Sequence, residues 1–302
     1  MQSAQRYYRS GAQRGFILVA VIWVLLALGT LTTIYSLYLA NSAMALSVYD
    51  DRLETEAAVS GALELVNYRL SDPNKPTRPT HGAFSFRVGK ANVAVNFVSE
   101  AARIDLNAAS KALLAGLFAV VGASPASANE YADRVIGWRT RPKPGKQSDE
   151  DALYRAAGVP YTPRGAPFTH LNELFLVHGI PRAIIERASE YLTVYNGKRD
   201  VDIRDAAPEV IAALPGMTPG RLNAFLTARE TITDSKMLLN AIGGPQPGVG
   251  IEASDGIRVR IRVRFDNGAR SAAEAVIYLG DPYRVLAWRE DAMMHETGTT
   301  GR

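Results

Sequence analysis

The feature that most constrains this chain is an uncharged run that begins at Phe16 and meets its first charge only at Asp50. Its first part, Phe16 to Gly29 (FILVAVIWVLLALG), is almost wholly apolar. Phe16 to Ala40 gives 25 residues, enough to cross a bilayer core as a helix rising about 1.5 Å per residue. Arg6, Arg9 and Arg14 precede the run with no acid among them, and a basic flank places that end in the cytoplasm. Three readings compete. A secretory signal would use Ala43-Met44-Ala45 as a small-residue cleavage site, but its apolar stretch should be only about 7–15 residues long. A plain membrane anchor needs no cleavage. The third reading takes residues 1–15 as a leader ending at Gly15, with Phe16 opening the helix.

The helical pattern continues past the apolar run. Tyr49, Leu53, Ala57, Leu63, Val66 and Leu70 recur at steps of mostly three or four, with Asp50, Asp51, Arg52, Glu54, Glu56 and Glu64 between them. This is an amphipathic stripe. Ser71-Asp72-Pro73 stops it. A continuous helix from Phe16 to Leu70 would be on the order of 80 Å long.

The remainder of the chain is long enough for a head with its own core: there are 302 residues in all, 47% of them hydrophobic. There is no cysteine, which excludes disulfides, thiolate zinc sites and cysteine nucleophiles. A net charge of +4 is too small to mark a nucleic-acid binder unless it is gathered on one face. Residues 73–82, rich in Pro and Thr, read as a linker. Phe84, Phe86 and Val88 alternate with Ser85 and Arg87, and after Gly89-Lys90 come Val93, Val95 and Phe97, which predicts a hairpin. Near the other end Ile257, Val259, Ile261, Val263 and Phe265 alternate with Arg258, Arg260, Arg262 and Arg264. That period of two buries the apolar set and puts four arginines on an outer face. Asp266-Asn267-Gly268 signals a turn, Ala275, Ile277 and Leu279 a return strand, and Tyr283 to Trp288 a further one; the tail from Asp291 is polar. Between the strand regions the pattern is helical, with helices predicted at 110–121, 127–140, 171–176, 181–191, 208–213 and 219–230. Asn107 and Ser110 stand as caps, and Pro181, Pro208 and Pro219 near first turns. The domain reading is therefore leader 1–15, transmembrane and amphipathic helix 16–72, first part of an α/β domain 73–103, helical insertion 104–245, returning strands 246–290 and tail 291–302.

The junction of a basic leader, Gly15 and Phe16 resembles a type IV prepilin. The resemblance implies cleavage between Gly15 and Phe16 by a prepilin peptidase and N-methylation of Phe16. Most pilin-like subunits carry a glutamate five residues into the mature chain, where it neutralises a neighbour's terminal amine; here that position is Ala20. A carboxylate in lipid is costly without a partner amine, so its loss suits a subunit with nothing ahead of it. The member of the family known to lack it is the minor pseudopilin K of type II secretion. Local motifs agree with that family. Ile104-Asp105-Leu106-Asn107-Ala108-Ala109 resembles its "hNLN" segment, with Asp105 for the usual Asn. Ile136-Gly137-Trp138-Arg139 resembles "IxDWR". Leu171-Asn172-Glu173-Leu174 with Val177-His178-Gly179 resembles "LxELxxVxG". Val201-Asp202-Ile203 through Ala206-Ala207-Pro208 to Leu214-Pro215-Gly216 resembles "INVNTAxxxVLxALPG".

The resemblance implies an α+β fold: a type IV pilin-like long N-terminal helix packed on an antiparallel sheet, with a large all-α, SAM-like or helix-hairpin-helix-like insertion. It implies a single-pass bacterial inner-membrane protein with its N-terminus cytoplasmic and its head periplasmic. Its partners would be other minor pseudopilins and the major pseudopilin. Its role would be to cap the pseudopilus tip, help start assembly and push folded exoproteins across the outer membrane, with no catalysis. The family is also associated with calcium, for which only Asp149, Glu150 and Asp151 stand in the matching region, beside Arg139, Arg141, Lys143 and Lys146. The plainer alternative there is a solvated loop. Leu214-Pro215-Gly216-Met217 before a helix invites a DNA-binding hairpin reading, assisted by Arg221 and Arg229. A membrane-anchored DNA-uptake protein and a minor pilin of a type IV pilus are thus the alternatives, although Glu209 and Glu230 argue against nucleic acid. The four-arginine face is either solvated or a contact for an acidic neighbour. His81, His170, His178 and His295 are scattered without metal-ligand spacing.

Overall fold

The computed structural model describes residues 13–71, 78–142 and 149–291. Residues 1–12, 72–77, 143–148 and 292–302 lie outside the described residues, and with them much of the expected leader, part of the linker and the tail. The chain divides into two compact units, Met1–Ala57 and Ala58–Arg302.

In the first unit, helix α1 (Gln13–Leu70) begins. Ile17–Ser42 within it is long and apolar enough to cross a membrane, and none of it is buried in the protein. Its three threonine hydroxyls are satisfied within the helix, as an apolar solvent demands. Thr30 donates to the Ala27 carbonyl at 2.8 Å, Thr32 to Leu28 at 2.8 Å and Thr33 to Gly29 at 2.9 Å.

In the second unit, the last turns of α1 bury Ala58, Val59, Ala62, Leu63, Val66 and Leu70. Of the predicted stripe, Leu63, Val66 and Leu70 are buried while Leu53 and Ala57 are exposed, and the Tyr49 side chain lies outside the described residues. The buried stripe packs on a five-stranded antiparallel sheet in the order β1 (His81–Val88), β2 (Ala91–Ser99), β7 (Gly256–Phe265), β8 (Arg270–Tyr278) and β9 (Arg284–Asp291). Val93, Val95 and Phe97 of β2 and Ile257, Val259, Ile261, Val263 and Phe265 of β7 share that core with the helix. Each such side chain contributes about 1.5–3 kcal/mol on burial. The hairpin at Gly89-Lys90 and the turn at Asp266-Asn267-Gly268 form where the sequence puts them, and they touch: Asp266 N donates to the Lys90 carbonyl at 3.0 Å.

Everything between β2 and β7 is the insert, with a core of its own. It comprises β3 (Ile104–Asp105), α2 (Lys111–Val120), α3 (Pro125–Arg139), α4 (Asp149–Ala156), α5 (Arg182–Ser189), β4 (Leu192–Thr193), β5 (Val201–Asp202), α6 (Pro208–Ala212), α7 (Pro219–Thr231), α8 (Ser235–Ala241) and β6 (Val249–Gly250). Leu171–Leu176 is a 3₁₀ rather than an α helix. Two helices were not legible. Helix α4 covers the acids that resemble a solvated loop, and α8 falls where the pattern predicts only a connection. Two parallel two-residue ladders, β3 with β4 and β5 with β6, close the insert; two-residue strands carry no periodicity to detect. Asn107 is not a helix cap. Its amide instead receives Phe168 N at 2.7 Å on Oδ1 and donates to the Phe168 carbonyl at 3.0 Å. Ser110 caps α2 through Leu113 N, and α3 starts earlier than expected because Ser124 caps it with Pro125 at its first turn.

Candidate functional site

The described residues build an apolar helix long enough to cross a membrane, a helical insert and the joint that fixes the insert to the sheet. Gly15, Phe16 and Ala20 all lie in α1, so the expected cleavage point is continuous helical backbone. Ala20 is exposed on that helix.

In the insert the segments singled out by sequence converge. Trp138, at the end of α3, stacks on Phe168 with ring centroids 6.1 Å apart and lies 6.1 Å from the ring of Tyr154 on α4. Its Nε1 donates to Glu173 Oε2 at 3.4 Å. The Tyr154 hydroxyl accepts His178 N at 2.8 Å, and burial pushes that phenol up to about 12. Arg139 turns back to the first motif, donating to the Leu106 carbonyl and, at 2.7 Å, to the Ala109 carbonyl. Asp105 is 1% exposed; its carboxylate accepts Asn107 N at 2.6 Å and Gly197 N at 2.7 Å. Burial raises its pKa, and those backbone N–H groups hold it back. Asp202 repeats the arrangement at the end of β5, accepting Arg204 N at 3.1 Å and Arg204 Nε at 2.8 Å. Strand, aspartate, turn and helix thus occur twice, at 104–120 and at 201–212, a duplication that motif matching did not bring out.

The two arginines offered for phosphate contact are committed elsewhere. Arg221 Nη1 donates to the Gly216 carbonyl at 3.0 Å and Nη2 to the Ile242 carbonyl at 2.9 Å. Arg229 Nη1 donates to the Ala206 carbonyl at 2.6 Å. Both guanidiniums close the ends of neighbouring turns, where carbonyls lack helical partners. The hairpin around Gly216 therefore uses both cations to pack the insert, with Arg229 half-buried and Arg221 exposed but bonded to two carbonyls. The same turn recurs before α3 at Gly122 and before α5 at Gly179, both with positive φ.

The acids named for calcium do not converge. Glu150 turns into the protein, and its Oε2 receives Arg134 Nη1 at 3.2 Å. Burial raises its pKa against the pull of Arg134. Asp149 is exposed and Asp151 half-buried in the first turn of α4. Among the described residues no three acidic or histidine side chains gather within reach of one metal ion.

The joint is a buried network. Glu100, 0% exposed, follows β2; its carboxylate accepts Arg258 Nε of β7 at 2.7 Å and the Thr193 hydroxyl of β4. Ser99 Oγ accepts Ser254 N at 3.0 Å, and Ser254 Oγ donates to the Asn196 carbonyl at 3.1 Å. Arg78 spans Asp255, at 3.1 Å, and the Ser254 carbonyl, at 2.9 Å. Gly256 fits only as glycine, because a Cβ there would stand 2.6 Å from the Tyr195 carbonyl. Sequence reading missed the joint because its members are separated by up to 177 residues.

Comparison with known proteins agrees with this anatomy. Residues 91–197 match the family model of the first domain of type II secretion system protein K. No curated protein matches the chain in sequence. Among solved structures, the chain is similar to one in the GspK-GspI-GspJ complex of the type 2 secretion system of enterotoxigenic Escherichia coli. The TM-score is 0.57 at 15% identity, over 82% of this chain and 99% of that one. The matched segment runs from β2 through the first half of the insert to the joint, so it contains Asp105, Trp138, Glu173 and Thr193. With a type II secretion protein K domain matched over residues 91–197 and a similar fold found in the GspK-GspI-GspJ complex, the resemblance read from the motifs is borne out.

Proposed function

We propose that the chain is the tip subunit of a type II secretion pseudopilus. The observation that carries this reading is the insert itself. An entire helical domain with its own core interrupts a pilin-like sheet between β2 and β7 and is clamped there by the buried Glu100 network. A head enlarged in this way leaves no room for another subunit stacked ahead. Ala20 in place of the pilin glutamate supports the same position in the filament, since a foremost subunit has no terminal amine before it to neutralise. The apolar Ile17–Ser42 segment would hold the chain in the inner membrane, N-terminus inside, with the head in the periplasm. Cleavage between Gly15 and Phe16, with methylation of Phe16, would release the helix for assembly. Other minor pseudopilins would pack against it, the major pseudopilin would extend the filament behind, and the growing filament would push exoproteins outward. The role is mechanical, without a reaction. Calcium, if it binds at Asp149 and Asp151, must draw further ligands from outside the described residues, because Glu150 is occupied by Arg134.

The leader is tested in cells that hold a prepilin peptidase. Intact mass of the membrane-extracted chain should correspond to a start at methylated Phe16, and Gly15→Ala should leave the full-length precursor. A mature start at any other residue would overturn the processing. The DNA-uptake alternative is disfavoured by the carbonyl contacts of Arg221 and Arg229.

A further inference from the structure

The outer face of the sheet, opposite α1, is built in two unequal halves. β7 contributes Arg258, Arg260, Arg262 and Arg264 at alternate positions, and the register adds Arg270 opposite Arg264 and Arg289 opposite Glu274. In the upper half one carboxylate collects the charge. Glu274 Oε1 accepts Arg258 Nη1 at 2.6 Å, its Oε2 accepts Arg260 Nε at 2.8 Å, and Arg289 approaches to 3.6 Å. In the lower half the residue two before Glu274 on the same face is Ala272, only 9% exposed, and it stands opposite Arg262. The next pair down is Arg264 with Arg270. Like charges directly opposite across an antiparallel pair are destabilising. Arg262, Arg264 and Arg270 are all exposed and make no ion pair among the described residues. The remaining acids nearby are Asp266, bound to Arg87 at 2.5 Å, and Asp291, opposite Ala272 at the sheet edge. Small or neutral neighbours on β2, Asn92 and Ala94, leave the approach flat.

A face meant only for solubility is served as well by lysine and by mixed signs. The cations of its lower half are all arginine, the side chain whose fork matches carboxylates in two-point contact, and they include a repulsive pair. We infer that the Arg262–Arg264–Arg270 half of the outer sheet face is a docking surface for an acidic segment of another protein. A partner carboxylate enters over Ala272 and fills the place that Glu274 fills one pair above. Glu274 supplies the pattern on this same strand: one carboxylate held by guanidiniums at alternate positions of β7. The inference stands apart from the pseudopilus reading and fails or holds independently of it.

The test uses the full chain in detergent micelles and a short labelled peptide of alternating glutamate and threonine, followed by fluorescence anisotropy. A glutamine–threonine peptide controls for backbone pairing, and an oligothymidylate of matched charge tests phosphate instead. The glutamate peptide should bind at least about tenfold more tightly than the glutamine peptide, weakening as salt rises. Ala272→Glu, which supplies the carboxylate internally, should abolish that preference. Arg264→Gln with Arg270→Gln should also abolish it while raising the thermal midpoint, because a repulsive pair is removed. Equal binding of both peptides, or a glutamate preference that survives the double substitution, would overturn the inference. Tighter binding of the oligothymidylate would overturn it in favour of a phosphate ligand.

Discussion

At the scale of single residues, half-buried Glu274 differs in sign from buried Asp105 and Glu150. Burial raises Glu274, but the guanidiniums of Arg260 and Arg258 more than offset it, leaving the group below the ordinary glutamate range. A carboxylate lowered in the fold stabilises it above its unfolded value and loses that contribution as pH falls through the lowered one. Glu274→Gln should therefore cost about 1.5–3 kcal/mol at neutral pH. The gap to the parent should close below the ordinary glutamate value of about 4.3. Urea melts across pH check this, and a gap that is constant with pH would contradict it. Asp105 and Glu150 have the opposite sign, raised chiefly by burial, so their ionised forms weaken the fold as pH rises. Packing is tight enough at some positions for one methyl to matter. A Cβ on Gly116 of α2 would lie 2.0 Å from the Ala213 carbonyl beside α6. Gly116→Ala should cost at least the usual ~1–3 kcal/mol of overpacking, read as a lower denaturation midpoint; an unchanged midpoint would mean that the two helices are not held this closely.

At the scale of elements, the apolar run, the hairpin, the arginine strand and most helices were legible because each carries a period or a cap in a few consecutive residues. The arrangement of β7 followed from its alternation alone. What escaped was held by long-range contacts. Helix α4 looked like a charged loop because Asp149, Glu150 and Asp151 sit together, and only the partner Arg134, on α3, explains why the middle one is buried. Leu171–Leu176 has the apolar content of a helix but tightens to 3₁₀, with His170 receiving Asn172 N at 3.1 Å. The role of Arg229 was likewise invisible, since a basic residue after a glycine turn suits phosphate contact as well as it suits a carbonyl. Arg229→Met keeps the stem and removes the donors. It should lower stability by about 1–3 kcal/mol and leave oligonucleotide binding in a low-salt gel shift unchanged. A stable variant that loses such binding would restore the nucleic-acid reading.

At the scale of the whole molecule, the order of features carries more than any one of them. A leader, an apolar helix, a hairpin, a helical block and returning strands already implied a sheet interrupted by an insert. The joint that makes the insert one body with the sheet was not legible, because Glu100, Thr193 and Arg258 meet only in the folded chain. Breaking it with Glu100→Gln should loosen the insert first. Hydrogen exchange should then quicken at β3, β4 and the 194–197 segment before it quickens in β2 or β7. Simultaneous quickening everywhere would mean that the two cores unfold as one.

The helical insert and the absent glutamate both support the proposal that this subunit ends a filament. Immunogold labelling of an epitope on the insert, on pseudopili sheared from cells that overproduce them, tests it most directly. Gold should mark a single end of each filament. Gold spaced along the length would contradict the account.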